Sequence, residues 1–123
     1  MPQLIFAVPD NVKALCLECG TNPPPQIIFT FPDYTQEYGG VIASNLCTMS
    51  LPNTAKNPHK TYQICIEDLW ALGDVPVLGL WHNHCGNNKP SPRDHKCARG
   101  WSRDGVPLYV IINHRDIWFW VDP

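Results

Sequence analysis

Short apolar runs broken by proline and glycine set the rhythm of the chain. Thirteen prolines and eight glycines divide 123 residues, and no apolar periodicity of 3.6 persists beyond about three turns, so strands are expected to dominate. Pro9-Asp10 starts the first predicted helix. Asp10 reads as its N-cap, "NVKALCLEC" as its body, and Gly20 with the triple proline at 23–25 as its stop. "QIIFTF" reads as a strand, and "VIASNLCTM" and "KTYQICI" as two further β-rich runs separated by the turn-forming "LPNTAKNPH". "IEDLWAL" is a short helix ended by Gly73.

"VPVLGLWH" contains almost no polar residue, the pattern of a strand covered on both faces, and is expected at the centre of a sheet. The Pro-rich loop after it leads into "SPRDHKCARGW", a predicted helix with Ser91 as N-cap and Pro92 at its first position. "PLYVII" and "IWFWV" follow as a hairpin closed by Asn113-His114-Arg115-Asp116. The expectation is one α+β domain spanning 1–123, with most of its five tryptophans in the core.

Composition narrows the function more than the fold. Nine Lys+Arg against eleven Asp+Glu give a net charge of -2 without a basic run, which argues against a nucleic-acid partner. "LIFAV" and "VPVLGLW" are far shorter than the ~20 residues of a membrane span. "MPQLIFAV" lacks the basic segment and cleavage site of a signal peptide, so a cytoplasmic location is expected. Six cysteines without such a signal read as free thiols, packing residues or metal ligands rather than disulfides.

The chemistry lies in "LGLWHNHCGNNKPSPRD", residues 78–94. On a strand, His82 and His84 share a face about 6.6 Å apart along the chain while Asn83 turns away. Asp94 follows at the start of a helix, past a loop flexible enough to fold back. Two imidazoles and a carboxylate, with a fourth position left open, form the donor set of a catalytic zinc site. A thiol site built from Cys16, Cys19, Cys85 and Cys97 is the rival donor set, and His59, His95 and His114 read as bystanders.

H-x-H, a loop, then S-x-x-D resembles the signature of the JAMM (MPN-domain) metallopeptidases. Glu18 in "LCLECG" resembles the upstream glutamate of that signature, and "LPNTAKNPHKTYQI" is similar to the segment before the central strand in bacterial and phage members. The resemblance runs from about residue 10 to residue 121. It implies a JAB/MPN-like, cytidine-deaminase-like fold: a curved central sheet flanked by helices. It implies Zn²⁺ held by His82, His84 and Asp94, Glu18 as general base, and Ser91 as donor to the oxyanion during hydrolysis of an amide or isopeptide bond.

Two departures stand out: "CGNNKP" puts six residues between His84 and Ser91 where the family usually has seven, and Cys85 replaces the usual proline. "CARGWSRDGVPLYVII" is similar to a segment of the tail assembly proteins of long-tailed phages. That likeness implies a tail-tip component or assembly protease, acting on peptides or proteins and contacting other tail proteins, in the host cytoplasm or the virion tail. A deubiquitinase-like or sulfur-carrier-processing peptidase is the second enzymatic expectation. A tail-tip building block that keeps the metal only for folding is the non-enzymatic one.

Overall fold

The computed structural model describes residues 2–16 and 25–122. A five-stranded mixed sheet in the order β4-β3-β5-β6-β7 organises them: β3 (Gly39–Ala43), β4 (Thr48–Leu51), β5 (Val77–Asn83), β6 (Leu108–Ile112) and β7 (Ile117–Val121). Only the β5–β6 pair is parallel, and the chain between these strands forms α3 (Pro92–Arg103). A second, two-stranded antiparallel sheet pairs β1 (Gln3–Ala7) with β2 (Gln26–Thr30).

Alternation along the strands sorts the side chains onto two faces. Leu108, Val110 and Ile112 of β6 face one apolar cluster with Phe29, Ile42 and Trp81, covered by the small sheet and by α1 (Asp10–Lys13). Tyr109 and Ile111 face the other, with Val41, Leu80 and Ala98 of α3. In β5 the alternation slips. Val77 pairs with Ala43 and Gly79 with Ile42, so Leu78 is an extra residue opposite β3, and this bulge turns Leu80 and His82 towards the α3 side. Gly40 makes the β3–β4 approach possible, since a Cβ there would lie 1.8 Å from the Met49 carbonyl oxygen.

The expected strand at the sheet centre, the Gly73 stop (φ 67), the α3 cap and the final hairpin all appear. Four expectations change. The first helix is only four residues long, begins at Asp10 and has Pro9 rather than Asp10 as its N-cap. The Pro9 carbonyl accepts from the Val12 and Lys13 N–H groups, which places the boundary one residue earlier. The run 41–49 folds as a hairpin whose turn carries Leu46 at φ 72 and an Asn45 side chain accepting from the Cys47 N–H. The run 60–66 forms no strand, because Asn53 and Thr54 bind its backbone instead.

Finally, Trp81 alone of the tryptophans is fully buried; Trp70 is 71% exposed, and Trp101, Trp118 and Trp120 are half-buried over the α3 face. Among the described residues no helix is long and apolar enough to cross a membrane.

Candidate metal centre

His82 and His84 sit where β5 ends, and their shared side of the strand follows from the period of two. Both rings are buried, and the His82 ring is stacked on Tyr62 with centroids 5.8 Å apart and set edge-on to Tyr109. Asp94 reaches them from the first turn of α3. Its Oδ2 accepts the Ser91 backbone N–H at 2.7 Å and the Ser91 hydroxyl at 3.2 Å, so the carboxylate that caps the helix is also the one aimed at the histidines. Oδ1 lies 3.6 Å from His82 Nε2 and Oδ2 3.5 Å from His84 Nε2.

These separations exceed a hydrogen bond but suit neighbours around one ion. Ligands at about 2.0–2.1 Å on a tetrahedral zinc lie about 3.3 Å apart.

A fourth group completes the cluster: Glu37, with Oε1 3.9 Å from His82 Nε2. Ligand atoms of Glu37, His82 and His84 all lie within 4.8 Å of one another, and all three residues are buried. Asp94 stands close to both rings, but through a different oxygen for each, whereas Glu37, His82 and His84 are the three residues whose ligand atoms meet at one point. The donor set fits a divalent cation. Two carboxylates face each other inside the protein, and among the described residues neither is paired with a lysine or arginine.

The electrostatics report that crowding. Burial pushes the Glu37 carboxyl up to about 7; His84 and Arg93 oppose the rise and Asp94 adds to it. Burial also acts to raise Asp94, but the two neighbouring imidazoles and the Ser91 N–H outweigh it and hold this group well below the usual carboxylate range. Burial lowers His82. In His84 the burial effect is overcome by Asp94 and Glu37, and the ring is held above its ordinary value.

Glu37 owes its place to pairing between distant strands. Gly39 lies opposite His82 in the antiparallel β3–β5 register, so continuing it sets Tyr38 across from Asn83 and Glu37 across from His84. Asn83, fully buried between the two histidines, fixes this segment. Its N–H donates to the Tyr38 carbonyl, its Oδ1 accepts the Tyr38 N–H at 2.7 Å, and its Nδ2 donates to the Gln36 carbonyl at 3.0 Å. The Glu37 N–H donates to the Pro58 carbonyl at 2.7 Å, and its own carbonyl accepts from Asn53 Nδ2 at 2.9 Å. Bonds on both sides leave Glu37 little freedom to swing away.

Of the residues expected from the sequence, His82, His84, Asp94 and Ser91 come together around one cleft of about 270 Å³. Glu18 lies outside the described residues. Sequence reading did not single out Glu37. No local signal marks it, because its place follows from the register between β3 and β5. Ser91, exposed at the rim, directs its hydroxyl to Asp94.

Among the described residues the rival thiol set is not assembled. Cys16 packs on the Trp81 side of the sheet and donates to the Ser44 carbonyl, whereas Cys97 lies on the α3 side; Cys19 is outside the described residues. Cys85 donates to the His59 carbonyl at 3.0 Å, and burial raises its thiol, which keeps it protonated. All five described cysteines are free thiols. Of the histidines read as bystanders, His59 lines the cleft, His95 accepts from the Trp120 indole, and His114 stacks on Tyr34. The chain matches no protein-family model, and no curated protein matches it significantly.

Proposed function

We propose that this protein is a zinc-dependent amide or isopeptide hydrolase of the JAMM type, with His82, His84 and Asp94 as metal ligands and Glu37 as the acid–base group. The observation that carries the reading is the convergence of Glu37 on the His82–His84–Asp94 cluster, from a segment 45 residues upstream of His82 in the chain. Bound zinc would supply a Lewis acid that makes water nucleophilic near neutral pH.

The protein's own groups account for the rest. A buried carboxyl held beside the metal site is placed both to take a proton from a bound water and to return one. Glu37 Oε1 would accept the proton of the attacking water and deliver it to the leaving amine. The Ser91 hydroxyl, 3.2 Å from Asp94 Oδ2 in the resting site, would turn to donate to the oxyanion, a contribution of about 3 kcal/mol in comparable sites. Asp94, pinned by the α3 cap, would keep its charge throughout.

A purely structural ion is usually enclosed by four protein ligands. This one would border an open cleft with a buried carboxyl beside it, an arrangement that folding alone does not require. The five-stranded mixed sheet with α3 against one face is compatible with the JAB/MPN-like fold that the motif suggests. The resemblance to phage tail assembly proteins makes tail proteins the natural substrates in this reading. The test is a pair of measurements on purified protein: zinc content by elemental analysis, and peptide cleavage by mass spectrometry. Glu37→Gln should keep the zinc and lose cleavage; a variant that cleaves as well as the wild type removes Glu37 from the mechanism.

A further inference from the structure

The charge around the mouth of the cleft points to the kind of substrate. Its lining includes three exposed cations, Lys60, Lys89 and Arg93, while its carboxylates are Glu37 and Asp94, both buried at the metal cluster. None of the three cations forms an ion pair among the described residues. They are three of nine lysines and arginines in a chain of net charge -2, so the rim is a local reversal of the molecule's overall sign. They also come from separate places: Lys60 from the segment after β4, Lys89 from the loop after β5, and Arg93 from the first turn of α3. Arg93 is near enough to Glu37 to oppose the rise of its carboxyl. Its position in the first turn of a twelve-residue helix adds the partial positive charge of the helix end.

Resting on the proposed hydrolase reading, the geometry points to a peptide substrate that carries a carboxylate close to the bond cleaved, seated on Lys60, Lys89 and Arg93. That carboxylate is either the free C-terminus of the peptide or an acidic side chain. Arg93 takes it as a planar fork, and the two lysines act as point charges on either side. Neutral peptides enter the same cleft with these cations still in water. The selectivity is therefore electrostatic and falls with salt, since the screening length shrinks from about 10 Å at 0.1 M to about 3 Å at 1 M.

The experiment uses three fluorescent octapeptides of one backbone sequence: neutral and C-terminally amidated, amidated with one internal glutamate, and neutral with a free C-terminus. Binding is read by fluorescence polarisation with the zinc-loaded Glu37→Gln protein, and cleavage by mass spectrometry with the zinc-loaded wild type. At least one anionic peptide should bind about tenfold tighter than the neutral one at low salt, from about two- to fivefold per cation. The internal and terminal arms identify the source of the carboxylate. The preference should fall below threefold both at high salt and in the Lys60→Ala/Lys89→Ala/Arg93→Ala protein, whose zinc content and melting temperature report that its fold is intact.

Equal binding of all three peptides, binding of none, or a preference that survives the triple substitution overturns the inference. Equal cleavage of neutral and anionic peptides also overturns it while upholding the hydrolase. Anion-selective binding without cleavage does the reverse.

Discussion

Glu37→Gln is expected to make the metal-free protein more stable at pH 8 while abolishing the proposed hydrolysis. The substitution keeps the shape of the side chain and removes its charge. In the folded protein the carboxyl is raised from 4.5 to about 7 by burial, a difference that corresponds to about 3 kcal/mol. Because the raised value belongs to the folded state, the folded protein holds more protons than the unfolded chain between pH 4.5 and about 7. Stability therefore falls as pH rises through that window, and the full cost of the ionised carboxylate is present above it.

The Gln variant has no such slope from this position. Urea unfolding of chelator-treated protein, followed by tryptophan fluorescence, should show the two proteins equal near pH 4.5 and the variant ahead by about 2–3 kcal/mol at pH 8. His82 and His84 are shifted in opposite directions and both proteins carry them, so the difference between the curves reports Glu37 together with its coupling to His84. Adding zinc should shrink the gap, because a cation beside the carboxylate favours its charged form. A variant no more stable than the wild type at pH 8 would refute the reasoning, showing Glu37 to be comfortably ionised in the folded protein.

Four further outcomes follow from the same structure. His82→Ala combined with Asp94→Ala removes two of three proposed ligands and should leave the purified protein without bound metal, checked by elemental analysis. Zinc at about a thousand times its Kd should raise the unfolding free energy of the wild type by about 4 kcal/mol, and chelation should reverse the shift in melting temperature. Asn83→Ala leaves the Tyr38 N–H and the Gln36 carbonyl without their buried partner. It should cost about 2–4 kcal/mol in urea unfolding and reduce kcat for any cleaved peptide more than it raises KM, with the metal retained. Gly40→Ala drives a Cβ into the Met49 carbonyl and should cost several kcal/mol, read as a lower thermal midpoint, because β3 and β4 must separate to admit it.

The chain announced its local chemistry openly. A strand puts residues i and i+2 on one side whatever lies around it. His82 and His84 were therefore legible as a pair, as was Ser91 as the residue that starts α3 and holds Asp94 at its first turn. The apolar run before them declared the central strand in the same way, since only a strand covered on both faces tolerates so few polar residues. Where local preference met competition it failed. Residues 60–66 have β-forming side chains, but Asn53 and Thr54 take up their backbone groups.

The place of Glu37 in the cluster was decided only in three dimensions. Glu37 meets the histidines because β3 pairs antiparallel with β5 with Gly39 opposite His82, and because Asn83 locks the preceding segment in that register. Register between distant strands depends on how both faces of the sheet bury and on a bulge at Leu78. No window of neighbouring residues contains that information, so the sequence alone specified a histidine pair at a strand end, and the folded sheet supplied the carboxyl that completes a group able to hold a metal ion.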